Sequence, residues 1–397
     1  MYGPLHTALS RLGALALGLA ACACGKTLTQ EEPREPEVSG VPIAFAVEGQ
    51  TTKGEAPVTT LAALAAQQFG VSAWYSPDGQ AFSAAGNTGY MVYSNHRFGY
   101  VTDNLAGLTA FPNPWQGVNA PEGGGLTKNP IYWPFSGTLS FFCYAPYRAD
   151  AALATPPDPD TRDIVLEGPV TDAGIIARLP DYLRDSPLIC VTPAASAAGQ
   201  ADLLVAPPLL DRSRFSSAGQ SPLDFSKHRM VQVEFRFNQT GFVEDAEKKA
   251  VRVTGINLNN IVGSKYLYFT KNAQNETGCA WSDAVSPASP DDLAAPLPRA
   301  SYGITAAAGE LVETDLPERN GANDNHIASQ TQKGMLFLLP QTLPADAEVV
   351  VSYALVDGQE SPVVTGTKTY ALVQPTLTEW PEGKIICYKL TLDLATP

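Results

Sequence analysis

Cys22 is the residue whose chemistry is most sharply set by its position. It closes the run Leu19-Ala20-Ala21-Cys22, at the end of an apolar stretch from Leu12 to Ala21 that Arg11 precedes. That stretch has the length of a signal-peptide h-region, about 7–15 residues. It falls short of the roughly 20 apolar residues that a bilayer span needs. Small residues before a cysteine at this place form a lipobox, in which a peptidase cuts before the thiol and the sulfur carries a diacylglyceryl group. Two or more acyl chains give stable anchoring, because each buried methylene contributes about 0.8 kcal/mol. Residues 1–21 are therefore expected to be a lipoprotein signal peptide and Cys22 the lipidation site. Cys24, preceded by Ala21-Cys22-Ala23, has the poorer context.

The other residue types that do chemistry are scattered. There is no HExxH, GxSxG, GxxxxGK[ST] or CxxC pattern in the chain. Of the four histidines, His6 lies in the signal peptide, and His96, His228 and His326 stand far apart without Cys or acidic residues at ligand spacing. Structural or surface roles are expected for them. Asp158-Pro159-Asp160-Thr161-Arg162-Asp163 is acidic but lacks the glycine and distal glutamate of an EF-hand loop, so it reads as solvated. Trp115, Trp133 and Trp281 could line a sugar site, although aromatics beside Pro and Gly more often pack locally. No catalytic residue, metal site or cofactor is expected, and the chain is not expected to be an enzyme.

Composition narrows the partners. The chain has 397 residues, a net charge of −14 and 17% charged residues. An acidic surface repels phosphate backbones, which argues against nucleic acid. Once Cys22 is acylated, Cys24, Cys143, Cys190, Cys279 and Cys387 remain, an odd set that is no disulfide framework. Cys143 and Cys387 both sit in apolar, strand-like runs and are expected in the core.

Short strands must carry whatever site exists. Residues 22–40 read as a tether. A strand is expected at Val41–Val47, a helix at Val58–Gln68 and a strand at Phe69–Tyr75, which the turn Ser76-Pro77-Asp78-Gly79 ends. Strands then recur at Gly89–Ser94, Ile131–Phe135, Thr138–Ala145, Asp163–Leu166, Leu188–Val191 and Asp202–Val205. Residues 206–222 look like a linker. In Arg229–Asn238, Val231, Val233, Phe235 and Phe237 alternate with polar residues, the period of a strand packed on one face. Further strands are expected at Val251–Leu258, Lys265–Phe269, Lys333–Leu339, Glu348–Val356, Thr367–Val373 and Lys384–Leu394. This spacing predicts an all-β chain with a β-sandwich in residues 41–210 and another in 223–397, and one or two short helices.

Several runs, in this order, resemble the fimbrillin family, the subunits of type V pili, in its minor-fimbrillin-like branch. They are Ile43-Ala44-Phe45 with Thr52-Lys53-Gly54, then Phe69-Gly70-Val71, then Trp133-Pro134 ahead of Leu139-Ser140-Phe141-Phe142-Cys143-Tyr144-Ala145-Pro146. Asp202-Leu203-Leu204-Val205-Ala206, Phe225-Ser226-Lys227-His228-Arg229-Met230-Val231, Leu339-Pro340-Gln341-Thr342 and Trp380-Pro381-Glu382-Gly383-Lys384 complete the set. The resemblance implies two tandem transthyretin-like β-sandwiches and a lipidated precursor at the outer-membrane surface or in the fimbrium. It also implies that a trypsin-like protease removes the first strand, after which a donor strand from another fimbrial subunit fills the groove. Here the departing strand would present Ile43, Phe45 and Val47. The cut is expected after Lys53, where many members carry Arg, with Arg34 as the runner-up.

Polymerising members usually carry a donor segment after the last strand. This chain stops at Leu392-Asp393-Leu394-Ala395-Thr396-Pro397, so an accessory, tip or anchor-like subunit mediating cell adhesion, or a non-polymerising surface relative, is expected rather than a stalk subunit. The alternative is a surface glycan-binding lipoprotein, which would share the anchor and the β-domains. A hydrolase on a β scaffold is the weakest reading, for want of a paired acid and base.

Overall fold

Alternating and continuous apolar runs dictate strands nearly everywhere. The computed structural model describes residues 36–48, 61–101, 115–119, 126, 128–149, 163–215, 222–245, 247–282, 297–305, 316, 335–359 and 361–394. In chain order the strands of the first half are β1 (Val38–Pro42), β2 (Ala44–Glu48), β3 (Phe69–Ser76), β4 (Tyr90–Tyr100), β5 (Trp115–Gly117) and β6 (Tyr132–Pro134). They continue with β7 (Thr138–Ala145), β8 (Ile164–Glu167), β9 (Leu188–Val191), β10 (Leu204–Val205), β11 (Leu209–Arg212) and β12 (Pro222–Asp224). The second half holds β13 (Val231–Thr240), β14 (Ala250–Val262), β15 (Lys265–Lys271), β16 (Thr277–Ser282), β17 (Arg299–Thr305) and β18 (Leu336–Leu338). It ends with β19 (Gln341–Thr342), β20 (Glu348–Val356), β21 (Pro362–Ala371), β22 (Glu379–Trp380) and β23 (Ile385–Asp393).

The fold is all-β, with two short helices, α1 (Leu61–Gln67) and α2 (Ala173–Ile176), among the described residues. Helix α1 is built from Ala and Leu, strong helix formers. It ends where Gln68 turns left-handed, at φ 60°, and donates its N–H to Leu64 O. Helix α2 is capped by Asp172, whose Oδ1 accepts from Ile175 N at 3.0 Å. No helix among the described residues is long and apolar enough to cross a membrane.

One large sheet organises the first half in the order β10–β7–β3–β4–β5–β2–β12, with β11 also paired to β7. Its ends approach each other. An isolated bridge joins Leu204 of β10 to His228, just beyond β12, and Arg229 N donates to Leu203 O at 2.8 Å. The sheet thus curls into a nearly closed barrel around Phe45, Phe69, Phe98, Trp115, Trp133 and Phe141. The stretch that reads as a linker contributes to this closure: β11 pairs with β7, and β12 with β2. Both strands are too short to show a period, and both lie in a Pro- and Ser-rich context.

The outer face of β7 supplies Phe142 and Tyr144 to a second core. This core packs against the sheet β16–β15–β9–β8, in which β9 from the first half pairs with β15 from the second. Phe142 and Phe269 meet there with centroids 4.9 Å apart. Seven strands of the second half make a sandwich of β18–β13–β23 against β17–β14–β20–β21. Between these sheets Phe235, Phe237, Leu258, Ile304, Trp380 and Tyr388 are buried.

Cys143 is buried, as its apolar run indicates, but Cys387 is exposed. The phase of β23 is set by Tyr388, Leu390 and Leu392, which point inward and turn Cys387 and Lys389 outward. The apolar neighbours Ile385 and Ile386 conceal that phase in the sequence. Trp115 and Trp133 are likewise enclosed in the barrel core.

Tyr388 receives a hydrogen bond from Trp380 Nε1 at 2.9 Å and donates to Leu372 O at 3.2 Å. Burial pushes its phenol from 10 up to about 12, and Tyr370 is raised by burial to about 12 as well. A phenol raised in the folded state stabilises it fully below the unfolded pKa, and that contribution disappears as pH rises through the folded one. Urea midpoints are therefore expected to fall between pH 10 and pH 12. Tyr388→Phe should flatten that slope while lowering stability at neutral pH, because Trp380 Nε1 loses its acceptor.

Candidate functional site: the slot of the first strand

Ile43, Phe45 and Val47 are the site residues that the structure describes. The run expected as one strand, 41–47, is bent into two. Its first part, β1, pairs antiparallel with β6, Val38 opposite Pro134 and Pro42 opposite Tyr132. At the joint, Ile43 N donates to Ile131 O at 2.8 Å. The chain then enters the barrel wall as β2. On one side β2 runs antiparallel to β5, with Ala44 opposite Gln116 and Phe45 opposite Trp115. On the other it runs parallel to β12, with Ala46, Val47 and Glu48 opposite Pro222, Leu223 and Asp224. The first strand is thus an interior member of the sheet.

The strand period fixes which side chains enter the core. Ile43 and Phe45 are fully buried, and Val47 is half-buried and packs against the same cluster. Phe45 lies 5.2 Å from the Phe98 ring, 5.2 Å from Phe141 in an edge-on contact and 6.4 Å from Phe69. Phe69 extends the cluster to Trp115 and Phe225, each at 5.3 Å. Such pairs contribute about 0.5–1.5 kcal/mol each beyond their burial. Leu64 of α1 is also buried in this core.

The walls of the slot are held by polar contacts. A Cβ on Gly117 of β5 would lie 2.2 Å from Asn129 O, so only glycine admits this approach. Asn129 N donates to Gly117 O, and Asn129 O contacts His96 Nε2 at 2.9 Å. Below β12, Asp202 Oδ2 and His228 Nδ1 pair at 2.6 Å, with the Asp202 side chain only 1% exposed. Burial raises the Asp202 carboxyl above its ordinary value, and the bond to His228 opposes that shift. Arg229 adds an ion pair to Glu382 at 2.5 Å. His96 and His228 therefore hold structure, one on a carbonyl and one on a carboxylate.

Cys22, Arg34 and Lys53 lie outside the described residues. Trp115, Leu223 and Phe225 line the slot but were not singled out for it by the sequence. The only signal available was the alternation of Leu223 and Phe225 with polar neighbours. Among the described residues no group of three His, Cys, Asp or Glu side chains is placed to hold a metal ion.

This is an all-β protein whose barrel is completed by its own N-terminal strand. A family profile described as Fimbrillin-like matches residues 66–396, and the chain belongs to that family. No curated protein sequence matches it. Among solved structures it is similar to proteins provisionally assigned to cell adhesion. One from Bacteroides uniformis has 12% identity and a TM-score of 0.39, covering 89% of this chain and 93% of the other. One from Bacteroides ovatus has 14% identity and a TM-score of 0.37, covering 90% and 93%. A third, from Bacteroides fragilis, has 12% identity and a TM-score of 0.37, covering 90% and 94%.

Phe45→Ala is expected to destabilise the chain by about 3–5 kcal/mol, the usual cost of emptying a buried phenylalanine site. His228→Ala, which leaves the Asp202 carboxylate buried without this partner, should cost about 1–3 kcal/mol. Urea unfolding of each variant beside Ala46→Ser, a change at a half-buried position of the same strand, checks both.

Proposed function

We propose that the chain is a cell-surface pilus subunit of accessory or tip type that accepts a donor strand after proteolytic loss of its first strand. One observation carries the reading: β2 lies inside the barrel wall, yet it is joined to the rest of the sheet through a segment that contains Lys53. Cleavage there frees the covalent link and leaves β1 and β2 held only by hydrogen bonds and packing. Their departure would expose the unpaired edges of β5 and β12 and the sites of Ile43 and Phe45. Unpaired backbone groups beside alternate apolar pockets are the template that strand addition uses.

The remaining parts follow from this arrangement. Cys22, once acylated, holds the uncut precursor at the outer membrane and departs with the first strand. Cleavage after Arg34 would release the anchor while leaving β1 and β2 seated, so it suits strand exchange less well. Strand β23 is not available as a donor. β23 pairs with β13 over its whole length and buries Tyr388, Leu390 and Leu392, so it is committed to its own sandwich.

Limited digestion of the full chain with a lysine-specific protease, followed by N-terminal sequencing, tests the proposal. The expected product begins at Gly54, and it should bind a peptide spanning Val41–Val47 that the uncut chain does not bind. Lys53→Ala should abolish the product. A chain that stays uncut, a cut confined to Arg34, or long homopolymeric pili from this chain alone would each count against it.

A further inference from the structure

We propose that the outer edge of β21 is a homotypic interface, where two copies of this chain join their four-stranded sheets into one continuous sheet. Strand β21 is ten residues long and pairs only on its β20 side among the described residues. Pro362 to Thr365 are all exposed, Val363 and Val364 at 45% and 43%. On each of the other edges at least one backbone group is already bonded. Gly303 N of β17 donates to Ala195 O, and Phe337 N of β18 donates to Gln200 Oε1. Thr391 O of β23 accepts from Tyr370 Oη. An exposed long edge of β-branched residues is a template for another strand.

Charge and symmetry select a second copy as the occupant. The chain carries a net charge of −14, yet Pro362–Ala371 contains no acidic residue. Copies therefore meet at this edge without local carboxylates facing each other. A two-fold axis perpendicular to a sheet keeps each side chain on its own face, so an antiparallel pair of identical strands must centre on a residue facing itself. Centring on Gly366 sets Thr365 against Thr367 twice and Lys368 against Val364, so no lysine faces its counterpart. Threonine pairs are favourable cross-strand neighbours. Gly366 is already covered on its own sheet: a Cβ there would lie 2.5 Å from the Tyr353 ring, which pins the register of β21 on β20. The resulting contact is isologous and closed, which limits it to a dimer.

Sedimentation velocity of the uncut full chain carrying Cys22→Ser, so that acyl chains cannot drive association, tests this interface. A reversible, concentration-dependent dimer is expected. The double variant Thr365→Glu/Thr367→Glu places like charges opposite each other across the axis and should weaken the dimer about ten-fold. Mixing it with Thr365→Lys/Thr367→Lys should restore a heterodimer, with thermal midpoints of both variants close to that of the parent. A monomer at every concentration, or a dimer indifferent to these charges, would overturn the proposal. So would a strand taken up at β21 from a different protein only. Because no cleavage is involved, failure here leaves the strand-exchange reading standing.

Discussion

The first half of this protein cannot enclose its core without β2. Phe45 is the shared neighbour of Phe69, Phe98 and Phe141, and the strand that carries it is the bond between β5 and β12. A barrel buries its backbone polar groups only if every strand has two neighbours. Several other contacts in this half serve that closure. Gly117 lets the chain at Asn129 approach β5, α1 covers the core with Leu64, and the bridge from Leu204 to His228 joins the ends of the sheet. The fully buried aromatic group and the interior position of its strand are the same fact seen at two scales.

The second half is stabilised differently. Its sandwich depends on long strands, with β13 parallel to β23 and β14 beside β20, and its core is complete without help from residues 36–48. The two halves are tied through β9 and β15, through the buried pair of Asp202 and His228, and through Arg229, which donates to Leu203 O and Val205 O. Removing one partner from such a pair is costly because the remaining charge stays buried. The segment from Phe225 to Met230 thus belongs to both parts: Phe225 packs on Phe69, and Met230 sits in the core beneath β15.

Much of this was legible in the sequence, for identifiable reasons. Thr138–Ala145, Leu188–Val191 and Glu348–Val356 are apolar runs bounded by turn residues, and the strands coincide with them. Ile43, Phe45 and Val47 are named for the first strand by the family resemblance alone, because the run Val41–Val47 is apolar throughout and shows no alternation. The strands β5, β11, β12, β19 and β22 have two to four residues and no continuous apolar run bounded by turns, so neither period nor composition marks them. Trp115 resembled local packing because its slot is formed by residues far along the chain. Cys387 reads as a core residue because two adjacent isoleucines mask the alternation that turns it outward in β23.

The two neighbours of β2 run in opposite senses, antiparallel at β5 and parallel at β12, so the slot has a direction. A strand that reproduces both sets of backbone bonds must enter with the same N-to-C orientation as β2. In the proposed exchange, the accepted strand would therefore fix which way its owner points relative to this chain.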